Sequence, residues 1–252
     1  MKLRLISSLL LLTLFQAQAQ EKSQDVIKIN KGTLTVHPIG HATMALSTEE
    51  KTIYVDPTGG AEAFKGIKPA DIILVTDIHP DHFDTKTLEA VVGPKTVLIT
   101  PPAVAEKLPQ NLKAELVILK NEEKTEQQGF TITAIAMYNI PKSADAFHIK
   151  GRGNGYLIRM GGKNIYISGD TEDIPEMRNL KNIDIAFVCM NLPYTMDVKQ
   201  AASAVLAFKP KIIYPYHYRG QNGFSDVAAF KQQVTARDKH IDVRLLDWYP
   251  SK

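Results

Sequence analysis

The sequence of 252 residues has one cysteine and no run rich in lysine and arginine. A single cysteine cannot form an internal disulfide bond, which excludes a small disulfide-stapled fold. Cys189 lies inside an apolar run, which predicts a buried side chain rather than a nucleophile. Without a basic run the chain lacks the electrostatic pattern of nucleic-acid binding, and we expect no nucleic-acid partner.

Long hydrophobic runs are also scarce, and the clearest one stands at the amino terminus. Lys2 and Arg4 precede an apolar stretch at residues 5–15, which is too short to span a bilayer well. The letters AQA at 17–19 then give the small-residue pattern of a signal peptidase site. We interpret residues 1–19 as a cleaved signal peptide; an uncleaved membrane anchor is the alternative.

Residues 20–252 are then expected to form one exported domain, periplasmic or secreted, with no membrane span left after cleavage. Removing Lys2 and Arg4 from the 30 basic residues leaves 28, against 27 acidic residues, so the mature protein is nearly neutral. Residues 20–25 read as a polar leader before the first strand. Oligomeric state is left open by the sequence.

Apolar runs separated by turn residues recur through both halves of the chain. Strands are predicted at residues 34–38, 42–47, 52–55, 71–76, 96–100, 116–119, 130–138, 156–160, 163–168, 184–190 and 211–216, and helices at 85–92, 103–108, 198–208 and 226–236. Gly161 and Gly162 predict a two-residue hairpin turn. Strands come early in each half and helices follow, which favours an α+β fold, a four-layer αββα sandwich.

The stretch VTDIHPDHFD at residues 75–84 places three carboxylates and two imidazoles directly after an apolar run. Imidazole nitrogen and carboxylate oxygen are zinc ligands, and a short loop can supply both to two neighbouring cations. Asp77, His79, Asp81 and His82 are therefore candidate ligands. Asp84 has a simpler explanation, because it precedes a predicted helix and suits a helix N-cap.

This stretch resembles the H-x-H-x-D-H signature of the metallo-β-lactamase fold hydrolases, read here as D-x-H-x-D-H. The family's later ligands, in the order His, Asp, His, match His148, Asp170 in SGDT and His217 in YPYHYRG. The resemblance implies the fold named above and a dinuclear centre. In it, one cation is held by Asp77, His79 and His148, the second by Asp81, His82 and His217, and Asp170 bridges the two.

Simpler explanations remain for some of these residues. His148 fits a surface loop, His217 a packed core histidine between tyrosines, and Asp170 a cap for a helix near Glu172. Asp77 departs from the family, because a carboxylate in place of imidazole adds a negative charge and weakens the Lewis acidity of a cation. It would also favour manganese or iron over zinc. Alternatively, Asp77 only orients a neighbouring ligand, and the first site is poor or empty.

Two further motifs, GHATM at 40–44 and YVDP at 54–57, resemble the ascorbate-phosphate lactonase-like and N-acylphosphatidylethanolamine phospholipase D-like branch. There the early histidine lies close to the metals, which implies that His41 contacts substrate or a ligand; a plain turn residue is the alternative. Asp56 is expected to fix a loop beneath the site, and GRGNG at 151–155 to be a flexible turn. Further candidates for contacts to substrate or to ligands are Tyr138, Asn139, Asn191, Tyr194, Tyr218 and Arg219.

The resemblance implies an exported metal-dependent hydrolase with a small-molecule substrate. Two divalent cations, zinc with manganese or iron as alternatives, would provide a metal-bound hydroxide that attacks an ester, lactone, amide or phosphodiester bond. Asp81 is the catalytic candidate, because it would position that hydroxide and relay its proton. The alternatives are a non-catalytic metal- or ligand-binding protein with an altered metal cage, and a lipid phosphodiesterase.

Overall fold

The protein is described by a computed structural model that covers residues 24–113, 115–141 and 143–250. The predicted signal peptide lies outside the described residues. Within them, no helix is long and apolar enough to cross a membrane.

Two seven-stranded sheets form the frame of the described chain. The first sheet follows chain order: β1 (Asp25–Lys28), β2 (Thr33–Gly40), β3 (Thr43–Ser47), β4 (Thr52–Val55), β5 (Ile72–Leu74), β6 (Val97–Thr100) and β7 (Leu116–Ile118). The second contains β8 (Lys124–Gln127), β9 (Phe130–Met137), β10 (Gly153–Met160), β11 (Lys163–Ile167), β12 (Ile185–Cys189), β13 (Ile212–Tyr216) and β16 (Asp242–Val243), in the spatial order β16-β13-β12-β11-β10-β9-β8. A small hairpin joins β14 (Arg219–Gly220) to β15 (Gly223–Phe224).

Alternation of side chains along the strands produces the layers. In β4, Ile53 and Val55 belong to the apolar core that both sheets share. Between them Tyr54 belongs to a second apolar cluster, which also contains Leu88 and Val104 from two helices on the outer face of the first sheet. The predicted αββα sandwich is therefore confirmed: two sheets pack together, and helices cover the outside.

Five α-helices lie in the described chain: α1 (Thr85–Val91), α2 (Pro102–Lys107), α3 (Pro175–Arg178), α4 (Val198–Phe208) and α5 (Val227–Thr235). Two short 3-10 helices cover Ala61–Phe64 and Gln110–Leu112. Helix α4 begins with a capping box, in which Asp197 accepts from the Gln200 backbone N–H at 2.7 Å and the Gln200 side chain accepts in return at 2.9 Å. It packs against α3 and α5 over the second sheet.

Five of the sixteen described strands were not predicted: the two-residue strands β14, β15 and β16, and the longer edge strands β1 and β8. Strand β1 begins at Asp25, inside the supposed polar leader, and pairs antiparallel with β2. The Asp25 carboxylate also pairs with Arg244 at 2.9 Å, so this segment is part of the folded domain. Strand β8 is polar and forms the edge of the second sheet beside β9.

Strand direction determines where the functional loops meet. Strands β4 to β7 are parallel to one another, and so are β11, β12, β13 and β16. Loops that follow parallel strands emerge at the same edge of a sheet, which is where ligands bind in open α/β sheets. The loops after β5, β11 and β13 carry six of the candidate ligands, and the seventh, His148, lies in the loop between β9 and β10.

Candidate metal centre

The loop after β5 is shaped by a tight turn and a helix cap. The backbone N–H groups of His82 and Phe83 both donate to the His79 carbonyl, at 3.0 and 2.8 Å. Asp84 then caps α1, accepting from the Lys86 backbone N–H at 3.0 Å and from the Thr87 hydroxyl at 2.6 Å. The predicted cap is confirmed, and the turn before it brings the histidines onto the same cluster.

Asp170 lies at the centre of the cluster and touches ligand candidates from three segments. Its Oδ2 is 3.2 Å from His148 Nε2 and 3.4 Å from His82 Nε2. Its Oδ1 is 3.2 Å from His217 Nε2. The simpler alternative for Asp170, a cap for a helix near Glu172, does not hold, because α3 begins at Pro175 and receives no side-chain cap.

Beside Asp170, His82 and His217 meet closely, with their Nε2 atoms 3.1 Å apart. Both rings are fully buried. Asp81 approaches the same place, with its Oδ2 3.5 Å from His217 Nε2 and 3.1 Å from His41 Nε2. His82, Asp170 and His217 thus form one group of converging donors, and His41, Asp81 and His217 form an overlapping one.

On the other side of Asp170, the side chains of Asp77, His79 and His148 form a third group. Asp77 Oδ2 is 2.8 Å from His79 Nδ1 and 3.9 Å from His148 Nε2. His148 is buried rather than on a surface loop, and its backbone N–H donates to the Asn139 side-chain oxygen at 2.7 Å. The structure therefore brings all seven predicted ligands together.

His82 is oriented from behind by a buried carboxylate. Asp56 Oδ2 is 2.8 Å from His82 Nδ1, and Asp56 also accepts from the backbone N–H and the hydroxyl of Thr76, each at 2.7 Å. A carboxylate behind a histidine fixes the ring so that its other nitrogen faces the centre. Asp56 thus fixes the loop beneath the site, as expected.

Three residues at the site hold a left-handed backbone although they are not glycine. These are His41 with φ of 55°, Asp56 with φ of 45° and His217 with φ of 47°. Such conformations cost free energy and persist where the surrounding structure holds them in place. Gly169, before Asp170, also has a positive φ, and an added Cβ there would lie 2.6 Å from Met137 Sδ.

The pKa directions describe a buried ion pair at the centre. Burial disfavours charge on both groups, yet the carboxylates of Asp170 and Asp56 hold the pKa of His82 well above its ordinary value. Against the same burial, His217 and His82 hold the pKa of Asp170 well below the usual range. For His217 the desolvation prevails and lowers its pKa. These directions favour an ionised Asp170 carboxylate, a positively charged His82 ring and a neutral His217 ring.

The pKa values of Asp81 and Cys189 are shifted in opposite directions. Burial tends to raise the pKa of Asp81, but the hydrogen bond with His41 and the nearby rings of His82 and His217 hold it well below its ordinary value. Asp81 is therefore ionised at neutral pH. Burial raises the pKa of the Cys189 thiol to about 11, which agrees with the predicted inert, buried side chain.

An open pocket of about 380 Å³ leads from solvent to these groups. Its lining residues are His41, His79, Pro80, Asp81, Phe147, His148, Asp170, Asn191, Tyr194, Arg219, Gly220 and Gln221. The Phe147 ring is half exposed and stands edge-on to Tyr194, with ring centroids 5.1 Å apart. The pocket therefore combines an aromatic wall, the Arg219 side chain and a floor of histidines and carboxylates.

The candidates for contacts to substrate or ligands separate into two groups. Asn191, Tyr194 and Arg219 line the pocket beside His41, whose Nδ1 lies 2.7 Å from the Tyr249 hydroxyl. The other three, Tyr138, Asn139 and Tyr218, lie outside the lining. The Tyr138 hydroxyl donates to Glu176 at 2.9 Å, Asn139 donates to the Tyr194 carbonyl at 2.8 Å, and Tyr218 packs on Tyr249.

The family model of the beta-lactamase superfamily domain matches residues 35–217, which is more than half of the chain and includes every predicted ligand. The chain belongs to the metallo-β-lactamase superfamily. A relative, a UPF0173 metal-dependent hydrolase from Pyrococcus abyssi, is 30% identical over 214 residues, covering 81% of this chain and 93% of that protein. The protein described here is therefore a metal-dependent hydrolase of this superfamily.

Solved structures agree with this assignment. A protein from Parabacteroides distasonis, assigned as a metal-dependent hydrolase, is 38% identical with a TM-score of 0.80, covering 90% of this chain and 100% of that chain. A metallo hydrolase from Ignicoccus hospitalis has a TM-score of 0.71 at 20% identity, covering 87% and 99%, and shows the likeness of fold. These names specify neither a lactone nor a phospholipid, so the branch within the superfamily stays a prediction.

Divalent cations suit the donor atoms of this metallo-β-lactamase fold site. Four buried polar atoms of the site form no well-aligned hydrogen bond: His148 Nδ1, His148 Nε2, His217 Nδ1 and Asp170 Oδ1. Asp170 nevertheless lies 3.2 Å from both His148 Nε2 and His217 Nε2. Buried polar atoms normally have partners, and imidazole and carboxylate donors in this arrangement match zinc, manganese or iron. The structure thus supports metal dependence.

Arg152 is the residue at the metallo-β-lactamase centre that sequence reasoning missed. It lies in GRGNG, which was expected to be a flexible turn, but its guanidinium binds both carboxylate oxygens of Asp77. The turn is instead tied to the first sheet, because the Asn154 backbone N–H donates to the Thr76 carbonyl at 2.9 Å. The one sequence signal for Arg152 was the departure at Asp77, because an extra carboxylate calls for a positively charged side chain nearby.

Proposed function

We propose that this metal-dependent hydrolase cleaves an ester, lactone, amide or phosphodiester bond in a small molecule. Asp170, which contacts His82, His148 and His217 beneath an open pocket, is the observation that carries the proposal. Asp77, His79 and His148 would hold one divalent cation, and Asp81, His82 and His217 a second, with Asp170 shared. Bound divalent cations supply Lewis acidity and lower the pKa of water.

The chain's own side chains complete this proposal. Asp81 is 40% exposed at the pocket and lies 3.1 Å from His41 Nε2, so this carboxylate is placed to accept a proton from the attacking water and return it to the leaving group. Arg219 and Asn191 would orient polar groups of the substrate. The edge-on pair of Phe147 and Tyr194 would pack against an apolar substituent.

Chelation tests this function directly. The purified protein is assayed on a panel of chromogenic carboxylic esters, lactones, amides and phosphodiesters, before and after removal of metal with a chelator. We expect activity on one bond class to disappear on chelation and to return with Zn²⁺ or Mn²⁺. Activity that survives complete chelation would contradict the metal-dependent chemistry, and the bond class that responds identifies the reaction.

We also propose that the enzyme acts after export, which the basic, apolar and A-x-A segments at residues 1–19 support. Expression of the full chain in a Gram-negative host should give a periplasmic product. Its amino-terminal sequence should begin near Gln20. A full-length product in the cytoplasm would reject cleavage and export.

A further inference from the structure

Asp77 and Arg152 form a bidentate ion pair at the edge of the first candidate cation site. Arg152 Nε is 3.1 Å from Asp77 Oδ1, and Arg152 Nη2 is 2.9 Å from Asp77 Oδ2. Asp77 is fully buried and the Arg152 side chain is only 19% exposed. Nη2 also lies 3.4 Å from His79 Nε2 and donates to the Phe147 carbonyl, so four contacts with three residues define one position for the guanidinium.

The backbone leaves little freedom to this pair. Strand β10 begins at Gly153, where an added Cβ would lie 2.7 Å from the Thr76 carbonyl oxygen and 2.5 Å from Met137 Cε. Only glycine allows so close an approach between a strand of the second sheet and the loop before Asp77. The next residue, Asn154, donates its backbone N–H to that same carbonyl. Arg152 is thus fixed opposite Asp77.

The charge of the pair offsets the departure at residue 77. A carboxylate in place of a neutral imidazole adds one negative charge to the ligand group, and a guanidinium in contact with it adds one positive charge. The net charge of the Asp77–Arg152 pair is therefore zero, which equals the charge of one neutral histidine. An isolated second negative charge beside Asp170 would instead hold a cation tightly and reduce its Lewis acidity.

We propose that Arg152 is a positioning residue that neutralises Asp77, so that the Asp77, His79 and His148 site takes a divalent cation with the charge of an all-histidine site. The inference rests on the proposed two-cation function. It opposes the view that the ion pair closes this site and leaves a single cation at His82, Asp170 and His217.

The proposal predicts opposite signs for two single substitutions. Arg152→Gln leaves the Asp77 charge uncompensated, and the affinity of the first site for Zn²⁺ should rise by about tenfold, since each 1.4 kcal/mol is a factor of ten. Asp77→His leaves an unpaired guanidinium beside the cation, and the affinity should fall by about tenfold or more. The double variant should return close to the wild-type value, and Arg152→Lys should stay near it.

The experiment titrates chelator-stripped full-length mature protein with Zn²⁺ in a calorimeter and counts bound zinc by elemental analysis. Wild type should bind two zinc ions per chain. Arg244→Gln is the matched control: it breaks another arginine–aspartate pair, with Asp25 at 2.9 Å, away from the pocket lining, and should leave both zinc affinities unchanged. Circular dichroism confirms that each variant is folded.

Three results would overturn the inference. One zinc ion per wild-type chain and two per Arg152→Gln chain would show that Arg152 closes the site. Weaker binding in both single variants without recovery in the double variant would show a purely structural role. No zinc bound by wild type at all would reject the proposed function together with the inference, which separates that failure from the other two.

Discussion

Replacing Asp170 by asparagine should lower kcat/KM by about 10³-fold or more. Asp170 is the one carboxylate among the described residues that lies within 3.4 Å of His82, His148 and His217 at once. Its removal disturbs both candidate cation sites. Divalent cations supply several kcal/mol of transition-state stabilisation in hydrolases, and each 1.4 kcal/mol is tenfold in rate.

The measurement is steady-state kinetics on the bond class that the chelation panel identifies, together with zinc content per chain. Asp173→Asn is the matched control, because Asp173 lies three residues away and pairs with Arg178 at 2.7 Å instead of with the histidines. Its kcat/KM should stay within about twofold of wild type, since a partly exposed ion pair contributes little. Equal losses in both variants, or full zinc content and full activity in Asp170→Asn, would contradict the role given to Asp170.

Asp56→Ala should destabilise the protein by about 3 kcal/mol and weaken zinc binding by about 10- to 100-fold. Asp56 is fully buried, and its carboxylate serves the Thr76 backbone N–H, the Thr76 hydroxyl and His82 Nδ1. Alanine leaves the Thr76 backbone N–H without its partner in the interior, where an unmet hydrogen bond is costly, and leaves the Thr76 hydroxyl and His82 Nδ1, 3.0 Å apart, with only each other. It also frees the His82 ring to rotate away from the centre.

Urea unfolding in the presence of chelator gives the stability change without the contribution of zinc, and calorimetry gives the zinc affinity. Asp242→Ala is the comparison, because Asp242 is half exposed and pairs with Arg244 on the surface. It should cost no more than about 0.5 kcal/mol. A stability loss in Asp56→Ala with unchanged zinc affinity would mean that Asp56 supports the loop but does not orient His82.

Apolar periodicity and turn residues predicted most of the fold, and edge strands were the exception. The Gly161–Gly162 turn joins β10 to β11 with Met160 paired to Lys163, as a two-residue hairpin requires. Strand β8 reads Lys-Thr-Glu-Gln and carries no apolar pattern, because it lies at a sheet edge and is stabilised by backbone pairing with β9. Pairing of this kind depends on the neighbouring strand and leaves no trace in local sequence.

The predicted ligands were recovered from their order and residue type, and the supporting role of Asp56 was predicted too, whereas the contact between Arg152 and Asp77 was not. Arg152 meets Asp77 across 75 positions of sequence, and only the contact between the two sheets brings them together. Tyr138 shows the reverse case, because it follows a strand at the expected edge but its hydroxyl turns to Glu176. Sequence position tells which edge a residue occupies; side-chain packing decides what it touches.

The centre draws its donors from both sheets, and this has a consequence for biosynthesis. Asp77, His79 and His82 follow β5 of the first sheet, whereas Asp170 and His217 follow β11 and β13 of the second. No complete set of donors exists until the carboxyl-terminal half has been made and has docked on the first. A chain that crosses a membrane unfolded would therefore take up its metal at its destination, from whatever ions that compartment provides.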